Sequence, residues 1–347
     1  MMSVNTPASI AHASSESSIV VTTPLYETSQ DLDSVLYPKA EAFDEGFLKV
    51  SDLHTLWYAQ YGNPKGVPVL VVHGGPGAGC DPGLARYTDP DYYRIILVNQ
   101  RGAPQSIPHA EMRENNTANL IEDFEKVRKY LGIEKWILFG GSWGSTLSLA
   151  YGEEYPDVIL GFVLRGIFLA SSENIHQLWY GMGEVYPEAW DEFTSILPEN
   201  ERHDLINAFY KRVMDPNPDI HMPVARALIK YSFMVSALLG NSGLIELLKD
   251  DKLVLSVARS WSYYAANNFF LTKNQLLDNV SRISHLPCII VQGRHDINAL
   301  PQSAYKLHKS WPGSKLVFVP DAAHTAFDPG LSKAIRDAAD EMRVKHL

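Results

Sequence analysis

The sequence predicts an α/β fold in which a mostly parallel sheet is covered by helices on both faces and interrupted by a helical insertion. Three observations support this prediction. Short apolar runs alternate with helical segments over residues 47–166. The strand signal is then absent over residues 167–286, where helices rich in aromatic residues, Leu and Met are expected instead. Strand-like runs resume at residue 288, and a helix is expected to close the chain.

Each predicted strand is a short run of apolar residues. The predicted strands are 47–50, 55–58, 67–72, 95–98, 136–139, 162–164, 288–292 and 315–320. The clearest helix contains Leu120, Phe124, Val127 and Leu131, which recur at steps of three and four residues. The C-terminal helix is expected over residues 331–343.

The predicted elements divide the chain into three parts. Residues 1–33 are rich in Ser, Thr and Ala with little periodicity, which predicts a flexible N-terminal arm. Residues 34–166 and 287–347 are expected to form one catalytic domain. Residues 167–286, called the cap segment below, are expected to form a helical cap over it.

Composition excludes several classes of function. The chain has 347 residues, of which 46% are hydrophobic, and a formal net charge of −10, so it can bury a large core and is a poor match for nucleic acid. No apolar stretch reaches the roughly 20 residues of a membrane span, and the N-terminus lacks a secretory signal. Cys80 and Cys288 do not indicate a disulfide framework. We expect a soluble, cytoplasmic protein, and the sequence leaves its oligomeric state open.

A candidate nucleophile lies between the fifth predicted strand and the next helix. Gly140-Gly141-Ser142-Trp143-Gly144 fits the pattern G-x-S-x-G, in which a sharp strand-to-helix turn lifts a serine hydroxyl into a cleft. On its own the pentapeptide could be a glycine-rich turn with an incidental serine. Its flanks have the strand and helix that the motif requires, so we expect Ser142 to be a nucleophile.

Two later segments supply the partners that a serine nucleophile needs. A histidine must take the hydroxyl proton, and an acid must hold that histidine in the correct tautomer. Asp296 follows the strand at 288–292, and His324 follows the last predicted strand. The order Ser, Asp, His is the order expected for this motif. His295 is a weaker alternative base, because it adjoins the proposed acid and precedes the last strand.

An oxyanion site is predicted at the end of the third strand. His73-Gly74-Gly75-Pro76-Gly77 follows that strand directly, and its glycines would let the main chain approach a substrate carbonyl. We expect the backbone amides of Gly75 and Trp143 to be the two donors. The same loop could instead be a simple turn or a phosphate-binding nest. The sequence argues against the second, because it has neither the lysine and threonine of a phosphate-binding loop nor a G-x-G-x-x-G segment that opens a helix.

Several of these segments together resemble the prolyl aminopeptidase (proline iminopeptidase) family of α/β-hydrolases, in register from about residue 36 to the C-terminus. The segments are His73 to Gly77, Asn99-Gln100-Arg101-Gly102, Gly140 to Ser145, Leu164-Arg165-Gly166-Ile167-Phe168 and Gly293-Arg294-His295-Asp296. The resemblance implies an α/β-hydrolase fold with a helical cap, and a serine peptidase that acts on an unblocked N-terminal proline without a metal or organic cofactor.

The resemblance also implies a pocket for the proline ring. Phe168 and Phe270 match the aromatic positions that line this pocket in the family. Trp179 and Tyr180 are further candidates, although an aromatic residue at helical spacing is more often part of a core.

The chain departs from the family pattern in two places, the cap segment and the loop after the fourth strand. Ser232 and Ala266 stand where the family has the two cap glutamates that hold the substrate's free amine. Burying an ammonium group without a counter-charge costs several kcal/mol. Either another acid replaces them, with Glu184 and Glu188 as candidates, or the substrate carries no free amine. The loop after the fourth strand also differs, because it begins with Asn99 where the family has an aspartate.

Three functions therefore remain open. The first is a peptidase for N-terminal proline or a small apolar aminoacyl group, and the second is an esterase, amidase or acyl-transferring relative whose substrate has no free amine. The third is a non-catalytic receptor, which the complete set of catalytic residues makes a poor explanation. In the first two cases the partner is a small peptide, amide or ester, with neither nucleic acid nor membrane involved.

Overall fold

The computed structural model describes residues 32–238, 243 and 246–344. The first 31 residues of the predicted N-terminal arm therefore lie outside the described residues. The last two, Leu32 and Asp33, belong to the short helix α1 (Leu32–Val35). The Asp33 carboxylate lies 2.7 Å from the guanidinium of Arg86, so this end of the arm is tied to the folded chain.

All eight predicted strands are present in a single sheet, which confirms the predicted α/β class. The strands are β1 (Asp44–Lys49), β2 (Thr55–Gly62), β3 (Val67–Val72), β4 (Tyr93–Val98), β5 (Trp136–Gly141), β6 (Ile159–Arg165), β7 (Cys288–Gly293) and β8 (Lys315–Val319). Their spatial order is β1-β2-β4-β3-β5-β6-β7-β8. β2 is antiparallel to both β1 and β4, and the pairs from β4 to β8 are parallel.

Helices connect the strands and fill the cap segment. Within the described residues, the other α-helices are α2 (Thr117–Tyr130), α3 (Trp143–Glu154), α4 (Ser172–Trp179), α5 (Pro187–Ser195), α6 (Leu205–Val213), α7 (Pro218–Met234), α8 (Asp251–Ala266), α9 (Gln275–Asp278), α10 (Pro301–Ser310) and α11 (Pro329–Val344). Of these, α4 to α9 lie between β6 and β7. Within the described residues, no helix combines the length and apolar character needed to cross a bilayer.

The central strands are apolar at nearly every position because helices cover both faces of the sheet. Along β3, Leu70 and Val72 pack into the core that includes α2, α3 and the cap helices. Val69 and Val71 point the other way, into the core that includes α11. Alternate residues of one strand thus supply two separate cores.

The parallel strands bring their carboxyl ends to one edge of the sheet. His73 follows β3, Ser142 follows β5 and Gly166 follows β6 at this edge. Asp296 comes three residues after β7, and His324 five residues after β8. Ligands of open α/β sheets bind at the carboxyl ends of the strands, so these residues are where a site is expected.

Candidate active site

Ser142 occupies a sharp turn between β5 and α3. Its backbone has φ 57° and ψ −127°, a conformation that an L-residue adopts only under strain, and its amide donates to the carbonyl of Arg165 at 3.0 Å. The next turn of chain leaves no space for a side chain at residue 144, because a Cβ there would collide with the carbonyl oxygen of Val72. Glycine at this position lets α3 start directly against β3.

Ser142, His324 and Asp296 form a continuous line of hydrogen bonds. Nε2 of His324 lies 3.0 Å from Oγ of Ser142, and Nδ1 of His324 lies 2.8 Å from Oδ2 of Asp296. Because a carboxylate only accepts, the Nδ1–H donates to Asp296 and Nε2 accepts from the serine hydroxyl. This is the arrangement in which a histidine can remove the serine proton.

The Asp296 carboxylate is buried and fully hydrogen-bonded. Its Oδ1 accepts from the amides of Asn298 and Ala299 at 3.0 and 2.8 Å. The side-chain amide of Gln292 donates to Oδ2 at 3.0 Å, beside the His324 bond. Three donors in addition to the imidazole fix the orientation of the carboxylate.

Two other parts of the chain hold the loop that carries His324. The amides of His324 and Thr325 both donate to the carbonyl oxygen of Ser236, just beyond α7, at 3.0 and 2.9 Å. Nη1 of Arg165 donates to the His324 carbonyl at 3.1 Å. Burial lowers the pKa of the Arg165 guanidinium. The position of the imidazole therefore depends on both the sheet and the cap segment.

The glycine-rich loop after β3 lies beside the nucleophile. A Cβ at residue 74 would come within 3.3 Å of the Cβ of Ser142, so the main chain passes the serine closely. Neither the Gly75 amide nor the Trp143 amide donates to another backbone group within the part of the chain that the structure describes. Both predicted oxyanion donors are thus unused in this state.

Helix α8 of the cap segment contacts both predicted oxyanion elements. Oγ of Ser256 donates to the carbonyl oxygen of Gly77 at 2.8 Å. The ring of Tyr264 packs edge-on against Trp143, with centroids 4.9 Å apart. These contacts join the cap segment to the loop and to the residue after the nucleophile.

The predicted aromatic residues divide into two groups. Phe168 packs against Phe269, with ring centroids 4.9 Å apart, and Phe269 also lies 5.6 Å from Trp143. Phe270, the residue predicted from the sequence, contacts Tyr263 and Tyr264 instead. Its ring centroid lies 5.3 Å from the centroid of each tyrosine ring. Sequence reasoning therefore missed Phe269 as the partner of Phe168.

A left-handed turn explains this exchange of neighbouring phenylalanines. Asn268, Phe269 and Phe270 have φ values of 50°, 54° and 55°. Each L-residue in this conformation costs about 1–2 kcal/mol relative to a right-handed turn. The side chain of Phe269 is only 1% exposed, and its carbonyl accepts from the Thr117 hydroxyl at 2.5 Å, so tertiary contacts maintain the turn.

Trp179 and Tyr180 make their contacts inside the cap segment. Trp179 is buried against Phe209 and Trp261. The Tyr180 hydroxyl accepts from the amide of Leu205 at 3.0 Å. Neither ring forms a ring pair with Phe168 in the described structure; Trp179 belongs to the core of the cap segment, and Tyr180 is half-buried against that core.

The positions predicted to bind an amine carry no carboxylate. Ser232 is half-buried in α7, and Ala266 is the half-buried last residue of α8. The alternative acids are both exposed. Glu188 lies in the first turn of α5, and Glu184 lies three residues before that helix. The described residues also contain no group of three or more His, Cys, Asp or Glu side chains placed to hold a metal ion.

Comparison with known proteins agrees with this architecture. A family model described as alpha/beta hydrolase fold matches residues 67–331. Solved structures with the same fold include an esterase from Exiguobacterium antarcticum, with TM-score 0.61 and 16% identity over 86% of this chain and 100% of that one. A proline iminopeptidase-related protein from Thermus thermophilus has TM-score 0.58 and 19% identity over 88% and 99%. At this identity the structures show the fold alone.

Curated relatives are much more similar in sequence. A proline iminopeptidase from Arabidopsis thaliana is 45% identical over 314 residues, which cover 89% of this chain and 82% of the relative. A probable proline iminopeptidase from Leptolyngbya boryana is 45% identical, with 88% and 96% covered. A proline iminopeptidase from Xylella fastidiosa strain Temecula1 is 41% identical, with 88% and 98% covered. The chain therefore belongs to the proline iminopeptidase family of α/β-hydrolase-fold proteins.

Proposed function

We propose that this protein is a serine hydrolase that releases N-terminal proline, or a small apolar aminoacyl group, from peptides or amides. The observation that carries the proposal is the pair of hydrogen bonds that joins Ser142 to His324 and His324 to Asp296. The similarity to proline iminopeptidases over most of the chain supports the choice of substrate.

In the proposed mechanism, Ser142 Oγ attacks the carbonyl carbon of the substrate. His324 Nε2 takes the hydroxyl proton, and the imidazolium that forms is stabilised by the Asp296 carboxylate. The amides of Gly75 and Trp143 donate to the oxyanion of the tetrahedral intermediate. His324 then protonates the leaving amine, and a water molecule hydrolyses the acyl-enzyme by the same proton transfers.

We propose that Phe168 and Phe269 form the apolar wall against which a proline ring packs. The two rings contact each other, and Phe269 also contacts the residue that follows the nucleophile. A flat apolar surface beside the residue that follows the nucleophile suits a compact ring better than a long or charged side chain.

The positions expected to bind the substrate's free amine provide little specificity for it. Ser232 and Ala266 offer no charge, and Glu184 and Glu188 are exposed. A buried ammonium group without a carboxylate is unfavourable by several kcal/mol. We therefore expect weaker discrimination between free and blocked N-termini than a pair of buried glutamates would produce.

A panel of three substrates tests the proposal. Proline arylamide, N-acetylproline arylamide and a short acyl ester are compared on the wild-type protein and on Ser142→Ala. Cleavage of the unblocked proline arylamide, lost in Ser142→Ala, is the expected result. Faster turnover of the blocked amide or the ester would replace the proposal with an esterase or amidase acting on a substrate without a free amine.

We further propose that residues 34–166 and 287–347 form the catalytic domain and the cap segment covers it, and that the protein works in the cytoplasm. Both cysteines of the chain, Cys80 and Cys288, are buried thiols, and burial raises the pKa of the Cys80 thiol to about 12. Reduced, unreactive thiols are the usual state of cysteines in a reducing compartment.

A further inference from the structure

Gln100 lies between the two segments that carry the predicted oxyanion donors. It follows β4 in the Asn99-Gln100-Arg101-Gly102 motif, which has no role in the mechanism proposed above, and it is only 2% exposed. Its side-chain Nε2 donates to the carbonyl oxygen of His73 at 2.9 Å. Its Oε1 accepts from the indole Nε1 of Trp143 at 2.9 Å. One side-chain amide thus joins the loop after β3 to the first residue of α3.

The neighbouring imidazole completes this connection. The Gln100 backbone amide donates to Nε2 of His73 at 3.0 Å, so that nitrogen carries no proton. The single proton of a neutral ring then lies on Nδ1 and is donated to the carbonyl oxygen of Gly74 at 2.9 Å; the Gly79 amide also faces Nδ1, at the longer distance of 3.2 Å. Burial lowers the pKa of His73 to about 4, so the ring is neutral at ordinary pH. The loop residues 73 and 74 are therefore held to Gln100 by directed bonds.

We propose that Gln100 is a positioning residue for the oxyanion hole, whose side-chain amide sets the distance between the Gly75 and Trp143 amides. The proposal rests on the proposed function, because it assigns those amides to the oxyanion. A donor contributes to catalysis only where the oxyanion forms, so a small displacement of either segment lowers the stability of the transition state more than that of bound substrate. The amide has both a donor end and an acceptor end, and each matches the group it faces.

The decisive variant is Gln100→Met, which preserves length and burial but removes both side-chain hydrogen bonds. We expect kcat to fall about 10- to 100-fold. Complete loss of one oxyanion donor costs roughly 10²- to 10³-fold, and a displaced donor should cost less than a missing one. KM for proline arylamide should change less than threefold. Affinity for an aldehyde analogue of proline, whose adduct with Ser142 places an oxyanion in the hole, should fall by the same factor as kcat/KM, and affinity for free proline should not.

Gln60→Met is the matched control for a merely structural effect. Gln60 lies in β2 and is also buried, at 3% exposure. Its side-chain amide likewise joins two partners, because it donates to Asp44 and accepts from Arg94, neither of which belongs to the candidate site. Gln60→Met should lower the melting temperature without changing kcat. Trp143→Phe removes the Oε1 bond of Gln100 but keeps an aromatic ring against Tyr264 and Phe269, and it should reproduce part of the kcat loss.

Two outcomes would overturn the inference. One is a folded Gln100→Met with wild-type kcat and wild-type aldehyde affinity. The other is a parallel loss of kcat and proline affinity that tracks the fall in stability, as a general loosening of the fold would produce. The rate at which a fluorophosphonate modifies Ser142 gives a readout without any proline substrate. A wild-type protein that reacts with the reagent but cleaves no proline arylamide would defeat the proposed function. The inference about Gln100 would still be tested, because a slower reaction of Gln100→Met with the reagent would support it and an unchanged rate would overturn it.

Discussion

Ser142 and His324 are 182 positions apart in the chain, yet the serine Oγ lies 3.0 Å from the histidine Nε2. β5 supplies the serine at its carboxyl end, and the loop after β8 supplies the histidine at the same edge of the sheet. The separation in sequence and the contact in space are both consequences of parallel strands that end together. The contact makes a direct test of the proposed roles possible.

Removing the nucleophile or the base should almost abolish turnover. In a relay that acts as a unit, losing the serine or the histidine costs about 10⁶-fold in kcat, and losing the acid about 10⁴-fold. We expect Ser142→Ala and His324→Ala to show the larger loss and Asp296→Ala the smaller one, measured as kcat on proline arylamide. The double variant Ser142→Ala/His324→Ala should be no slower than either single variant.

His295→Ala is the matched control for this series. His295 is exposed beside the acid, and the only hydrogen bond found for it in the described structure joins its amide to the carbonyl of Ala322. Its loss should leave kcat within about twofold, as for surface changes away from the site. If His295→Ala were as slow as His324→Ala, the assignment of the base would be wrong.

Phe269 and Phe270 should differ in their effect on substrate turnover. Phe269→Leu removes three ring contacts, with Phe168, Trp143 and Tyr264, and a ring contact is worth about 0.5–1.5 kcal/mol. Weakening of the wall by the upper end of that range for one contact corresponds to roughly tenfold in kcat/KM for proline arylamide. Phe270→Leu loses contacts only with cap tyrosines, and kcat/KM should stay within threefold. A larger effect of Phe270→Leu than of Phe269→Leu would indicate that Phe270, the residue expected from the sequence, lines the pocket.

A carboxylate at the end of α8 should create a preference for a free amine. Ala266→Glu should raise the ratio of kcat/KM for proline arylamide to that for N-acetylproline arylamide by tenfold or more, equivalent to about 1.4 kcal/mol. Ala266→Gln has nearly the same shape without the charge and should leave the ratio unchanged. Equal ratios for the Glu and Gln variants would mean that residue 266 does not face the amine.

Glu153 should make the protein less stable as pH rises. Burial raises the pKa of its carboxyl to about 8, and the nearby Asn279 amide and Arg282 guanidinium offset only part of that rise. The folded state therefore keeps a proton that the unfolded state releases near its ordinary pKa of 4.5. Between those two values the folded state binds more protons, so the free energy of unfolding falls with increasing pH, by up to about 1.4 kcal/mol per unit.

Glu153→Gln removes this dependence. Urea unfolding should give wild-type and variant similar stabilities near pH 4.5 and a growing advantage for the variant up to about pH 8. The exposed neighbour Glu154 provides the control, because Glu154→Gln should give a small difference that does not grow across this range. A constant difference between Glu153→Gln and wild type at all pH values would contradict the assigned cause.

The sheet and the catalytic residues could be predicted because their sequence patterns have direct physical causes. Strands such as β5 are buried at every position, so they read as continuous apolar runs. Residues that follow such strands must lie at one edge, so the sequence alone predicts that Ser142, Asp296 and His324 lie close together. The strained turn at Ser142 also has a sequence signature, since the close approach of α3 to β3 requires glycine at residue 144.

The substrate-facing details could not be predicted because they depend on local conformation and on contacts distant in sequence. The left-handed turn at residues 268–270 turns Phe269 towards Phe168, and the only hint is that the turn begins with Asn268, a residue type that tolerates this conformation. Trp179 has the same helical spacing whether it faces a core or a pocket. The bond between Gln100 and Trp143 joins side chains 43 residues apart, which a single sequence does not reveal.

The bond from Ser256 to Gly77 limits how the cap segment can be exchanged between relatives. A chimera that replaces residues 167–286 as one block would bring in a foreign α8 and break the polar link to the oxyanion loop. A transplant that leaves α8 with the sheet and replaces only α4 to α7 would keep that link intact. Recombination boundaries drawn around α8 should therefore yield active hybrids with altered selectivity more often than boundaries drawn at β6 and β7.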